Sequence, residues 1–305
     1  MSPFTVTILG SGSATPTFDR NPSSQVVFMK DKTFLVDCGE GTQMQLGKYS
    51  IRHKRIDNIF ISHLHGDHYL GLIGLLFTNH LFGRLKELHI YAPEMLKDIM
   101  DLQLEASKSV LNYPIVFHPL KPNELDVIYD IHNCEISSFP LKHSVDTWGF
   151  LFKEKSTGRK ISKDFLMNEN PTIPAIKNIK LGEDYVDDNG VVFKNEDITM
   201  PSDAPRSFAY CSDTLYDEDI IKYIENVDLL YHEATFTDEF ATIARDKMHS
   251  TSIEAATIAL KAKVKHLLIG HFSARYDDDV QLLSEARSVF ADTIAADDGK
   301  VVYVN

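Results

Sequence analysis

The segment "IDNIFISHLHGDHYLG", residues 56–71, constrains the fold more than any other stretch. The apolar, β-branched run that ends at Ser62 reads as a buried strand, and an apolar helix opens near Tyr69, so His63, His65, Asp67 and His68 crowd the turn between them. In open α/β sheets, ligands gather at such turns, just beyond the carboxyl ends of strands. A lone histidine is usually an ordinary surface or core residue. His-x-His-x-Asp-His on one short loop is a donor set whose spacing suits two adjacent metal ions.

The rest of the chain repeats this placement. His143 follows the run "EISSFPL", Asp213 follows "FAYCS", His232 and Glu233 follow "VDLLY", and His271 closes "HLLIG". Strand ends of a sheet share a rim, so groups far apart in sequence can meet there. Strands are expected at 4–9, 24–29, 33–37, 58–62, 87–92, 135–141, 206–212, 227–232, 265–271 and 300–304. Helices are expected at 40–49, 68–82, 93–107, 217–225, 251–262 and 277–289, which makes a layered α/β protein. "STSIEAATIALKA" opens with Ser or Thr three residues before Glu, a helix-capping pattern. Between about 153 and 205 the rhythm breaks into Asn-, Asp-, Lys- and Pro-rich sequence, which reads as an insertion projecting from one domain spanning 1–305.

Composition excludes several classes. No apolar run is long enough to span a bilayer, and "MSPFTVTILGSG" lacks the features of a signal peptide. Cys38, Cys134 and Cys211, an odd count at wide spacing, point to reduced thiols and a cytoplasmic setting. A net charge of −13 argues against a polyanion partner, but phosphate contacts are local, and "KYSIRHKR" (48–55) holds no acid. "GSGSATP" follows a strand as a dinucleotide loop would, yet Pro16 stands where the helix should open. Its small residues and hydroxyls suit an active-site rim instead.

The motif His63, His65, Asp67, His68 resembles the hallmark of the metallo-β-lactamase fold superfamily. "LGSGSATPT" (9–17), "DCGEGTQMQL" (37–46), "PLKHSVDTWGF" (140–150), "YCSDT" (210–214), "HEAT" (232–235), "HSTS" (249–252) and "GHFSARY" (270–276) narrow the resemblance to ribonuclease Z, the tRNA 3′-processing endonucleases. That resemblance implies a four-layer αββα sandwich, with 153–205 as an inserted substrate-binding arm. It implies two zinc ions per subunit, one held by His63, His65 and His143, the other by Asp67, His68 and His271, with Asp213 bridging. Asp67 would act as the base toward water, while Glu233 and His249 would help protonate the leaving oxygen or serve only as hydrogen-bond partners of the ligands. Asp37 would orient a ligand. Arg275 would touch a phosphate or be an ordinary surface arginine. The arm of this chain has prolines but no Gly-Pro pair, a departure from the family pattern. The implied substrate is a tRNA precursor and the implied assembly a homodimer with no membrane attachment. A phosphodiesterase acting on small phosphodiesters or cyclic nucleotides is the alternative activity, and a non-catalytic binding scaffold the alternative class.

Overall fold

The computed structural model describes residues 3–122 and 125–305, which divide into two compact units. The larger unit carries two seven-stranded sheets. The first runs, edge to edge, Val301–Tyr303, Phe4–Gly10, Ser24–Met29, Lys32–Val36, Ile56–Phe60, Leu88–Ala92, Ile115–Pro119. The second runs Thr293–Ala295, His266–Gly270, Leu229–Glu233, Ser207–Cys211, Thr147–Glu154, Cys134–Leu141, Asp126–Ile131. Inner-face rings join the sheets: Phe34 meets Phe152 with ring centroids 5.7 Å apart, and Phe60 meets Phe150 at 5.5 Å. Helices cover both outer faces. Leu72, Leu75 and Leu76 of helix Leu72–Leu81, with Leu96 and Met100 of Met95–Ala106, pack on Ile59 and Ile90. Ala255, Ala256 and Ala259 of helix Ser252–Lys261, with Leu282 and Ala286 of Val280–Val289, pack on Leu230 and Leu267. The order helix, sheet, sheet, helix gives the four-layer sandwich expected from sequence.

Each sheet has a parallel half, and those halves position the site. Lys32–Val36 pairs in parallel with Ile56–Phe60, which continues to Leu88–Ala92. In the second sheet Ser207–Cys211, Leu229–Glu233 and His266–Gly270 run parallel, with Cys211 opposite His232 and Glu233 opposite Gly270. That register brings the carboxyl ends of these strands to one level, so Asp213, Glu233 and His271 emerge side by side. The helix after Ser250 begins with the capping pattern read from sequence: the Thr251 hydroxyl accepts from Glu254 N at 3.2 Å and Glu254 Oε2 accepts from Thr251 N at 2.9 Å.

The strands Ile115–Pro119, Asp126–Ile131 and Thr147–Glu154 are absent from the sequence-based expectation. The first two lie at sheet edges and are only half-buried; their apolar runs, Ile115–Phe117 and Val127–Tyr129, are three residues long, too short to mark a strand by pattern. The smaller unit, residues 131–133 and 154–205, contains helices Lys163–Glu169 and Ile173–Leu181 where sequence suggested irregular polar chain. Ser162 and Thr172 cap them, and Phe165, Ile179 and Ile198 form a small core with Tyr185 and Phe193. Three apolar residues spread over 34 positions carry no periodicity, which is why this core was invisible in sequence.

Phe60 is fully buried among Phe34, Tyr91, Phe150 and Phe152. The Phe60→Ala variant is expected to lose about 3–5 kcal/mol, seen as a lower urea midpoint at unchanged slope.

Candidate metal centre and active site

The larger unit holds a cleft of about 720 Å³ lined by His65, Asp67, His143, Asp213, His249, His271 and Arg275, with residues of the 13–22 loop at one rim. His63, His68 and Glu233 are buried beneath it. All ten residues singled out for metal, catalysis or substrate therefore belong to one region. Donor atoms of His63, His65, His143 and Asp213 lie within 4.8 Å of one another, as do those of Asp67, His68, Asp213 and His271. Asp213 is common to both sets. A third group joins Glu233 and His249 to His271.

Local backbone explains how the turn reaches the rim. Cys38 N donates to His68 O at 2.7 Å, and Gly71 N donates to Cys38 O at 2.9 Å, clipping the histidine turn onto the segment after strand Lys32–Val36. The approach is so close that a Cβ on Gly71 would lie 2.1 Å from Gly39 O, and one on Gly39 would lie 2.4 Å from Asp67 O.

Hydrogen bonds then set which nitrogen faces inward. Ser62 Oγ donates to Asp37 Oδ2 at 2.9 Å and so accepts from His63 Nδ1 at 3.0 Å. His143 Nδ1 donates to Met248 O at 2.8 Å. Both rings thus turn Nε2 lone pairs toward His65 Nδ1, each at 3.1 Å, and one proton on His65 can satisfy only one of them. On the other side, His68 Nδ1 donates to Asp37 Oδ2 at 2.8 Å, which leaves His68 Nε2 and Asp213 Oδ1 buried without hydrogen-bond partners. Thr235 Oγ1 donates to Glu233 Oε2 at 2.7 Å and accepts from His271 Nδ1 at 2.8 Å, so His271 Nε2 faces Asp67 and Asp213. Converging imidazole lone pairs and a buried carboxylate oxygen without a hydrogen-bond partner fit a cation. Two nitrogens bound tetrahedrally to one zinc lie about 3.3 Å apart, close to the spacing found here.

The ionisable groups of the site also act strongly on one another. Burial opposes a charge on His68, but the carboxylates of Asp213, Asp67 and Asp37 outweigh it and hold its pKa well above the ordinary imidazole value. Burial and the neighbouring His68 push His63 the other way, well below it. Asp213 is held far below the usual carboxylate range: burial works against that, and His271 and His68 overcome it. His249 is also disfavoured by burial, yet Glu233, bonded to its Nδ1 at 2.8 Å, raises it to about 9.

Asp37, singled out in the sequence, accepts from His68 Nδ1 and from Ser62 N and Oγ. Sequence reasoning did not single out Ser62, Thr235 or Tyr210, whose hydroxyl donates to Asp37 Oδ2 at 2.6 Å. Their signal was present only as neighbours of ligands inside "ISH", "HEAT" and "YCSDT". Arg275 lies in the cleft lining with its guanidinium 4.5 Å from the Phe240 ring centroid and 4.9 Å from that of Phe236.

Comparisons with known proteins agree with this geometry. The family described as "Anti-Pycsar protein Apyc1" matches residues 4–179. "Ribonuclease Z" of Bacteroides fragilis is 44% identical over 296 residues, covering 97% of each chain. "Ribonuclease Z" of Bacteroides thetaiotaomicron is 42% identical over 305 residues, covering 100% of this chain and 96% of the other. Among solved structures, human tRNase Z, short form, superposes with a TM-score of 0.73 at 27% identity, covering 99% of both chains.

The Asp37→Ala variant leaves Ser62, His68 and Tyr210 without their common acceptor. It is expected to weaken divalent-metal binding about 10–100-fold in a chelator competition.

Proposed function

The chain belongs to the ribonuclease Z family and, through residues 4–179, to the family described as Anti-Pycsar protein Apyc1; on that footing we propose that this endoribonuclease removes 3′ trailers from tRNA precursors by hydrolysis. The ribonuclease Z relatives match past residue 179 and so across Asp213, Glu233, His249 and His271, which is why they carry the assignment. The observation that supports it most is the pair of donor sets sharing Asp213 at the floor of an open cleft.

In this reading His63, His65 and His143 would hold one zinc ion and Asp67, His68 and His271 a second, with Asp213 available to both. Such a pair of ions supplies charge neutralisation at phosphate oxygens and acidification of water. The chain's own residues do the rest. Asp67, facing the cleft, orients the attacking water and takes its proton. His249, anchored through Nδ1 to Glu233, presents its other edge to the cleft and gives a proton to the departing 3′ oxygen. The bond from phosphorus to that oxygen breaks, so the tRNA ends in a 3′-hydroxyl and the trailer keeps the phosphate. Arg275 meets a phosphate. The segment 153–205 serves as the arm that grips the precursor.

A second copy of the chain is the proposed partner. Met44, Leu81, Phe82 and Leu85 are exposed apolar residues on or just after helices Thr42–Lys48 and Leu72–Leu81, which a Thr78–Gln43 hydrogen bond of 2.6 Å ties together. Cys38, Cys134 and Cys211 are all buried, and no helix among the described residues is long and apolar enough to cross a membrane; a cytoplasmic setting belongs to the same proposal.

Purified protein incubated with a precursor carrying a 3′ trailer is expected to cut after the discriminator nucleotide. A chelator and the Asp67→Ala variant should each reduce the rate at least a hundredfold. Turnover of cyclic nucleotides or bis-p-nitrophenyl phosphate with the precursor left intact would replace this reading by a small-molecule phosphodiesterase. Sedimentation of a monomer at micromolar concentration would remove the dimer.

A further inference from the structure

The loop between strands Phe4–Gly10 and Ser24–Met29 has two faces. Ser13, Ala14, Thr15, Pro16 and Pro22 line the cleft. Its tip turns outward and presents Phe18, whose side chain is wholly in solvent at 104% relative exposure. Isolated exposed apolar residues are common on protein surfaces and mean little alone. Here the ring stands on a rim that is held in place.

Several bonds do the holding. Thr17 N donates to Arg20 O at 2.9 Å, and Arg20 N donates to Thr17 Oγ1 at 3.1 Å, closing the turn that carries Phe18. Arg20 lays its guanidinium 5.2 Å from the Phe272 ring centroid and donates to Tyr276 O at 3.0 Å. Asn21 donates twice to Asp298 Oδ2, from its backbone and its side-chain amide, at 2.9 Å each. The neighbouring Asp19 makes the tip a poor phosphate contact. What the tip offers is an aromatic face. Arg275, in the lining of the same cleft and stacked on Phe240 and Phe236, offers the cation. An aromatic face for bases with a cation for the backbone is the combination that binds single-stranded nucleic acid.

We propose that Phe18 is a stacking platform for an unpaired base of the 3′ trailer where that strand leaves the cleft over the rim. This rests on the nuclease reading above and adds a residue that selects for single-stranded RNA at that rim. The trailer is the strand it fits, because bases of the acceptor stem have their faces occupied by neighbours in the duplex, while trailer bases are free to splay.

The test is steady-state kinetics of the zinc-loaded enzyme on a precursor with a short unpaired trailer. Wild type is compared with Phe18→Ala, Phe18→Leu and Phe18→Trp. The Ala variant is expected to raise KM about tenfold with kcat within a factor of two. Leu, which keeps apolar bulk without a π face, should lose about as much, and Trp should keep or lower the wild-type KM. On a precursor whose first trailer nucleotides are abasic, wild type should rise to the KM of the Ala variant. The Phe18→Trp variant adds a direct signal, because the natural Trp148 is buried: the indole emission should be quenched by the base-bearing trailer and not by the abasic one. Equal KM for Ala and wild type on the base-bearing precursor overturns the proposal while leaving the nuclease intact. So does a Leu variant that matches wild type, or an Ala defect undiminished on the abasic precursor. A wild-type enzyme that leaves the precursor uncut overturns the nuclease reading itself, and stacking with it.

Discussion

One buried carboxylate ties the site to the scaffold. Asp37 follows strand Lys32–Val36 of the first sheet and accepts four hydrogen bonds: Ser62 N at 2.7 Å, Ser62 Oγ at 2.9 Å, His68 Nδ1 at 2.8 Å and Tyr210 Oη at 2.6 Å. Ser62 and His68 belong to the histidine turn, and Tyr210 belongs to the second sheet. A carboxylate taken out of water is costly unless its lone pairs are used, and here four donors use them. The same bonds make the distance between the sheets and the aim of His68 a single structural quantity. Trp148 N, donating to Ser62 O at 3.0 Å, adds a second stitch between the sheets at that level.

Backbone strain gathers at the same place. Asp37, Met248 and His271 adopt φ of 55°, 58° and 61°, left-handed conformations that cost a non-glycine residue energy and persist where surroundings over-determine them. Met248 shows how. Helix Ala241–Asp246 ends with Met248 N donating to Arg245 O at 3.1 Å and His249 N donating to Ala244 O at 2.8 Å, a left-handed helix stop at which glycine is usual. That stop delivers two groups at once: the Met248 carbonyl that sets the His143 tautomer, and the His249 ring that meets Glu233.

How much of this was legible in the sequence depends on what each residue needs. Metal-type ligands were readable because they are rare, and because a strand end is a marked place; His63, His65, Asp67, His68, His143, Asp213 and His271 converge for that reason. The capping box at Thr251 and Glu254 was readable because both partners lie within one turn. Ser62, Thr235 and Tyr210 were not. Hydroxyls of Ser, Thr and Tyr are common, and their importance here comes from partners 25, 36 and 173 positions away. Edge strands such as Ile115–Pro119 escaped because an apolar run of three residues, cut short by His118 and Pro119, is too brief to mark a strand, and the small core of Phe165, Ile179 and Ile198 because three residues make no pattern.

The acidic total of −13 is compatible with an RNA substrate once the charges are placed. Asp67 and Asp213 sit in the cleft floor with Glu233 buried beneath, where His68 and His249 offset part of their charge and where bound divalent metal would offset the rest. Many other acids are spent on lysines at the surface, as in Asp101 with Lys97, Glu218 with Lys261 and Asp184 with Lys194. Arg275 is treated differently: it is propped by aromatic rings and by Ser273, which accepts from its Nε at 3.3 Å, and no carboxylate pairs with it among the described contacts. A guanidinium positioned by stacking keeps its outer N–H groups for an incoming phosphate, whereas one held by a carboxylate would have to give up that bond first. The polyanion is therefore met by a few placed charges at the cleft, and net charge says little about whether it binds.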